Sequence, residues 1–200
     1  SLTEEGDVIL CDRENHASII DGCLFAPAKL IPYRHNSAVS LRNRIKRQPA
    51  EAGKLVVMDG VFSMSGDIAN LKPQVEVAKE FGARLFVDEA HSLGALGPQG
   101  RGTVHEFGLN KEVDIVIGTF SKSLGSMGGF IAGNAEMIEF LKHKARCFIF
   151  TASLAPAVAG GVFKALEVMQ EETGRIEQLW RNTRKMHEGF KSIGFKIGTT

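Results

Sequence analysis

Two hundred residues, 44% hydrophobic and 24% charged, suffice for one large domain; a chain of that size buries roughly 70% of its unfolded surface. Twenty-four basic against 23 acidic residues leave a formal charge of +1, which argues against nucleic acid or an anionic membrane surface as partner. No apolar run approaches the roughly 18 residues of a transmembrane segment.

In chain order, residues 7–11, 28–32, 54–58, 84–88, 113–118 and 128–132 are apolar runs of strand length. Between them, 17–25, 39–47 and 73–81 carry helical spacing, with Pro73 suited to a first turn and Gly82 to a stop. This alternation predicts an α/β domain with a largely parallel sheet. The 128–133 segment follows the fifth run too closely for a helical crossover, so it predicts antiparallel pairing or a sheet edge. Asn134 predicts the cap of a helix reaching about Lys144.

From Pro156 the apolar stripe Val158, Val162, Leu166, Met169 continues through Ile176, Leu179, Met186, Phe190 and Ile193. It predicts one long or kinked helix to about Ser192, broken near Gly174. The organisation expected is a large domain over 1–155, a connecting helix or helix pair over 156–193, and the start of a smaller domain over 194–200, where Gly194–Gly198 looks like a beginning strand. Both ends read as interior points of a longer polypeptide. Cys11, Cys23 and Cys147 lack metal or redox spacing and are expected to be buried or half-buried free thiols in a reducing cytosol; no metal site is expected.

The chemistry gathers where strands end. In open α/β sheets ligands sit outside the carboxyl ends of the strands. Asp88 closes the Leu85-Phe86-Val87 run, and His91 follows in Asp-Glu-Ala-His. A carboxylate there can pair with a protonated pyridine nitrogen and keep it protonated; the alternative for Asp88 is the cap of a helix over 89–93. His91 can donate to a ring hydroxyl. Lys122 lies between Ser121 and Ser123 just past the next strand, among Gly118, Gly125, Gly128 and Gly129. A desolvated amine in such a loop suits Schiff-base chemistry, and the Thr119 and Ser121 hydroxyls suit phosphate oxygens.

Neither G-x-x-x-x-G-K-[ST] nor a post-strand G-x-G-x-x-G is present, which counts against nucleotide folds. Read alone, His16 is a helix-capping residue that could also stack on a planar ring, and Ser63 is a turn residue at the same edge. Arg101 reads equally as a ligand-ordered or a solvated loop arginine.

Taken together, Asn15-His16-Ala17-Ser18, Asp59-Gly60-Val61-Phe62-Ser63-Met64, Asp88-Glu89-Ala90-His91, Gly118-Thr119-Phe120-Ser121-Lys122-Ser123 and Phe150-Thr151-Ala152-Ser153-Leu154 resemble the α-oxoamine synthases, a branch of the fold-type I pyridoxal-phosphate enzymes. The resemblance covers nearly the whole chain. It implies an aspartate aminotransferase-like large domain, a mostly parallel mixed sheet flanked by helices, with 1–155 binding pyridoxal 5'-phosphate. It assigns Lys122 to the Schiff base and to proton transfer, Asp88 to the pyridine nitrogen and His91 to the ring oxygen. His16 would stack on the ring and touch the substrate carboxylate. Ser63 would contact the cofactor, Thr119 and Ser121 the phosphate region, and Thr151 the phosphate of a neighbouring subunit.

The resemblance further implies a homodimer with shared active sites that condenses an amino acid with an acyl-CoA or acyl carrier protein thioester. The Lys122 and Thr151 segments favour serine with palmitoyl-CoA, whereas Asn-His-Ala-Ser-Ile-Ile-Asp-Gly and Ile68-Ala69-Asn70-Leu71-Lys72 lean towards glycine with acetyl-CoA. Alanine with a pimeloyl thioester and a catalytically silent partner subunit are the other readings. The expected location is cytoplasmic, with membrane association left open. Family members carry a phosphate loop before, and a carboxylate-binding arginine after, the stretch matched here, so the 200 residues alone are expected to be inactive.

Overall fold

A computed structural model describes residues 1–197. Strands β1 (Val8–Asp12), β2 (Lys29–Tyr33), β3 (Lys54–Asp59), β4 (Arg84–Asp88), β5 (Ile115–Thr119) and β6 (Gly129–Gly133) form one sheet in the order β2-β1-β3-β4-β5-β6. The first five are parallel, and β6 returns antiparallel to β5 at the edge. The mixed α/β fold implied by the motifs is the fold observed, and each strand lies within two residues of its expected place.

Alternation along the strands assigns the two faces. Val8, Leu10, Val56, Met58, Leu85 and Val87 pack with helices α1 (Ala17–Leu24) excluded and α2 (Ala38–Ile45) and α3 (Leu71–Glu80) included, through Leu41, Ile45, Leu71 and Val75. Ile9, Cys11 and Val57 face α1 instead, against Ile19 and Cys23. That second face is covered less fully. An apolar cleft of about 900 Å³ is lined by Ile9, Val57, Phe86, Ile117, Ile131 and Leu141.

Helix α3 starts two residues before Pro73, which occupies its first turn, and Gly82 stops it at φ +63°. The one-turn helix α4 (Thr103–Glu106) was not foreseen. Helix α5 (Ala135–Lys144) is capped by Asn134, whose side chain accepts from Met137 N at 2.8 Å. A second unforeseen turn, α6 (Arg146–Ile149), precedes α7 (Pro156–Glu171) and α8 (Gly174–Ser192), and the break falls where Gly174 predicted it. Four-residue helices carry too short an apolar pattern for periodicity to reveal.

Residues 194–197 form no strand, and Gly198–Thr200 lie outside the described residues, so the expected small-domain start is not described there. Cys11 and Cys23 are buried free thiols as expected, but Cys147 is exposed, on the one-turn α6 that buries none of its residues. No described helix is long and apolar enough to cross a membrane.

Leu10 has no exposed surface in the central strand, whereas Ile131 on the edge strand is 40% exposed. Leu10→Ala should therefore cost about 3 kcal/mol of unfolding free energy, and Ile131→Ala less than about 1 kcal/mol. Urea titration with an unchanged slope checks both.

Candidate active site

The parallel register brings three aspartates, Asp12, Asp59 and Asp88, to the carboxyl edge of the sheet, all buried. The chain leaves β1 towards β2 and returns to β3 on the other side of β1, a change of direction that opens a crevice at that edge. Asp59 and Asp88 are registered neighbours. Burial pushes the Asp59 carboxyl up to about 6, against the hydrogen bond it accepts from His16 N at 2.7 Å, with the Asp88 charge adding to the rise. Burial also raises Asp88, against the hydrogen bond from Ala90 N to its Oδ1 at 2.8 Å. Among the described residues no donor reaches Asp88 Oδ2. The alternative of a helix over 89–93 is not observed; Asp88 instead closes a turn.

His91 lies in that turn. Burial pushes its imidazole down, and the Lys122 ammonium adds to the effect while Asp88 opposes it. His16 also acts on both Asp88 and His91, so the charges of all four residues meet at one edge. Lys122 sits in the hairpin loop between β5 and β6, closed by Phe120 N to Gly128 O at 2.9 Å and Gly125 N to Lys122 O at 3.1 Å. The side chain of Lys122 has no acidic partner within 4 Å among the described residues. The loop is docked on the His91 turn by Ser123, whose hydroxyl donates to Leu93 O at 2.6 Å. Gly94 permits this approach: its φ is +78°, and a Cβ there would lie 2.5 Å from Ser123.

His16 caps α1, its Nδ1 accepting from Ser18 N at 3.3 Å, as its lone reading predicted. Asn15 locks the turn by donating to Val57 O at 2.9 Å and accepting from Asp59 N at 2.9 Å. Thr119 Oγ1 lies 2.8 Å from Ser121 Oγ, so two hydroxyls stand side by side before Lys122. Ser63 is exposed on the 61–68 loop at the same edge, and Arg101 is exposed and bridged to Leu93. Thr151 is exposed beyond α6, and no hydrogen bond joins it to the other site residues.

Two residues outside the expected set prove structural to the site. Asp59 holds the backbone of His16. Glu89, 1% exposed, accepts from Thr103 N at 2.9 Å and Val104 N at 2.7 Å and from the Ser92 hydroxyl. It thereby binds the His91 turn to the start of α4. Its identity as a carboxylate in Asp-Glu-Ala-His was visible, but its partners lie 14 and 15 residues on.

The residues fit pyridoxal phosphate. A buried carboxylate with one oxygen lacking a protein donor matches a pyridinium N–H, and it needs a cation more than any solvated acid would. A lysine without an acidic partner and two adjacent hydroxyls complete the donor set.

The family model described as aminotransferase class I and II matches residues 1–200. A serine palmitoyltransferase of Sphingobacterium spiritivorum is 48% identical over 199 residues, covering 100% of this chain and 50% of the relative. An 8-amino-7-oxononanoate synthase of Symbiobacterium thermophilum is 45% identical over 198 residues, covering 98% and 50%. A solved serine palmitoyltransferase from S. paucimobilis, with a bound PLP–myriocin aldimine, superposes with a TM-score of 0.95 at 44% identity, covering 99% of this chain and 51% of that one. The chain spans about half the length of the curated relatives it matches.

Asp59 provides a pH test. A carboxyl raised to about 6 in the folded state binds a proton that the unfolded chain has released, so stability falls as pH rises from about 4 to 6. Asp59→Asn keeps an acceptor for His16 N and removes that slope. Between pH 4 and pH 7 the variant should gain about 2 kcal/mol relative to the parent, read from urea unfolding without cofactor.

Proposed function

Because the chain belongs to the aminotransferase class I and II family, we propose that it forms part of a pyridoxal phosphate-dependent acyltransferase that condenses L-serine with palmitoyl-CoA. The products are 3-ketodihydrosphingosine, carbon dioxide and free CoA. The observation that carries the reading is the meeting of Lys122, Asp88 and His91 at adjacent strand ends, held by the Ser123–Leu93 hydrogen bond. The preference for serine and palmitoyl-CoA is supported by relatives named serine palmitoyltransferase at 44–48% identity.

When bound, pyridoxal phosphate supplies an aldehyde for covalent capture of the amino acid and a ring that accepts the electron pair released at Cα. The remaining work falls to this chain. Asp88 keeps a proton on the ring nitrogen, because opposite charges at close range favour the charged form of each. His91, held neutral by burial and by Lys122, donates a hydrogen bond to the ring oxygen. His16 stacks on the flat face and meets the substrate carboxylate, its backbone fixed by Asp59. Thr119 and Ser121, with Ser63, hold the phosphate end. The Lys122 amine removes the Cα proton as general base and returns a proton after carbon dioxide leaves.

A homodimer with Thr151 reaching the neighbouring subunit's phosphate is part of the same reading, as is a cytoplasmic location. The second substrate reading, alanine with a pimeloyl thioester, is favoured by the 8-amino-7-oxononanoate synthases at 43–45% identity; glycine with acetyl-CoA is the third. A silent subunit has no need of the Lys122 amine.

In the full-length protein, Lys122→Ala should abolish the visible absorbance produced by covalent attachment of the cofactor; its persistence would move the attachment elsewhere. Asp88→Asn should reduce turnover far more than stability, since each pKa unit lost at the ring nitrogen is about 1.4 kcal/mol. CoA release measured with serine, glycine and alanine against palmitoyl-, acetyl- and pimeloyl-CoA separates the substrate readings. Residues 1–200 alone should show no turnover.

A further inference from the structure

The carboxyl edge of the sheet contains a second cluster, between the turn that carries His16 and the loop that carries Ser63. His35 follows β2 by two residues, and its ring bridges two carboxylates: Nδ1 lies 3.1 Å from Asp12 Oδ1 and Nε2 lies 3.3 Å from Asp67 Oδ2. A neutral imidazole has one N–H and can serve only one of these; the other contact would set lone pair against lone pair. Only the imidazolium donates to both. The ring stands edge-on to the buried Phe62, centroids 4.4 Å apart at 89°.

The two ends of this bridge belong to different site segments. Asp12 is fully buried, and its Oδ1 also accepts from Glu14 N at 3.0 Å, shaping the turn that leads through Asn15 to His16. Asp67 closes the loop that bears Ser63, its carbonyl accepting from Phe62 N at 2.9 Å beside the Val61–Ile68 bridge. Asn36 reinforces the join: its backbone donates to Asp12 Oδ2 at 2.8 Å, and its side chain donates to Ile68 O at 3.0 Å and accepts from Asn70 N at 2.7 Å.

We propose that His35 is a positioning residue: as an imidazolium bonded to Asp12 and Asp67, it sets the spacing between the His16 turn and the Ser63 loop. The proposal rests on the reading of this edge as the cofactor's site. Asp12 from β1 and Asp67 from the loop are the charged groups that act on the ring. Burial opposes the charge on His35, but the hydrogen bonds and charges of both aspartates outweigh it and raise the pKa. A raised histidine contributes its pairing below that pKa and loses it as pH rises through it.

The test uses the full-length protein with selectively ¹⁵N-labelled histidine, the His35 signal being identified by its loss in His35→Gln. Both His35 nitrogens should carry protons at neutral pH and titrate above the ordinary value, and Asp67→Asn should lower the midpoint. His35→Gln should weaken pyridoxal phosphate binding about tenfold at pH 6.5, since it loses a charge-assisted hydrogen bond. That deficit should shrink as pH rises through the His35 midpoint, a dependence that a purely structural defect would not show. Asp67→Asn, which alters a quarter-exposed carboxylate, should give a deficit of about threefold with the same pH trend, and it serves where His35→Gln fails to fold. A His35 that is neutral at pH 6.5, or variants that bind the cofactor within twofold of the parent at every pH, would overturn the proposal. A parent that binds no cofactor while His35 is doubly protonated would instead sink the cofactor reading, and the positioning role with it, leaving only the clamp.

Discussion

Two buried carboxylates on registered neighbouring strands, Asp59 and Asp88, set the electrostatic demand of this sheet edge. Each is forced up by burial and each is opposed by a single backbone donor as its main relief. Burying acids without cations is costly, and the cost is tolerated where a cation is to be received. Lys122 and His16 approach Asp88 and His91 from loops rather than forming ion pairs with them. The site therefore keeps its charges separated, and a planar cationic ring can enter between acid and amine.

Separation of this kind needs loops held in place, and the fold achieves it with polar side chains bonded to backbone. Ser123 reaches Leu93 O, Asn15 joins Val57 O to Asp59 N, and Glu89 gathers Thr103 N and Val104 N. Glycine makes the closest approaches possible. A Cβ on Gly60 would meet Glu89 Oε2 and Thr103 Oγ1 at 2.7 Å each, and one on Gly102 would meet the Glu89 carboxylate from 2.7 Å. The rigid sheet thus ends in turns whose positions are set by Glu89 and its neighbours rather than by apolar packing.

The strands were legible because those of a parallel sheet read as continuous apolar runs, and Leu85-Phe86-Val87 or Ile115-Val116-Ile117 admit few other readings. The residues gathered at this edge were legible because each lies at a strand end or within four positions after one. What depends on contacts distant in sequence is not legible in this way. His35 has the same distance from its strand as Lys122 has from β5, within a residue, yet its partners lie 23 and 32 positions away. Asp59 opens Asp-Gly-Val-Phe-Ser-Met, but its bond to His16 N crosses 43 positions. The one-turn helices α4 and α6 lacked the length for any period to register.

Glu89 and Asp88 show how adjacent acids acquire opposite duties from pleat geometry. Successive residues leaving a strand point to opposite sides. Asp88 faces the crevice with one oxygen lacking a protein donor, whereas Glu89 turns inward to three donors that satisfy it. A carboxylate bonded by three donors rigidifies its surroundings, and one with an oxygen free of protein donors can receive a ligand. Exchanging their surroundings would reverse the two duties without altering either side chain's intrinsic chemistry. The difference between Asp88 and Glu89 is therefore one of hydrogen-bond partners.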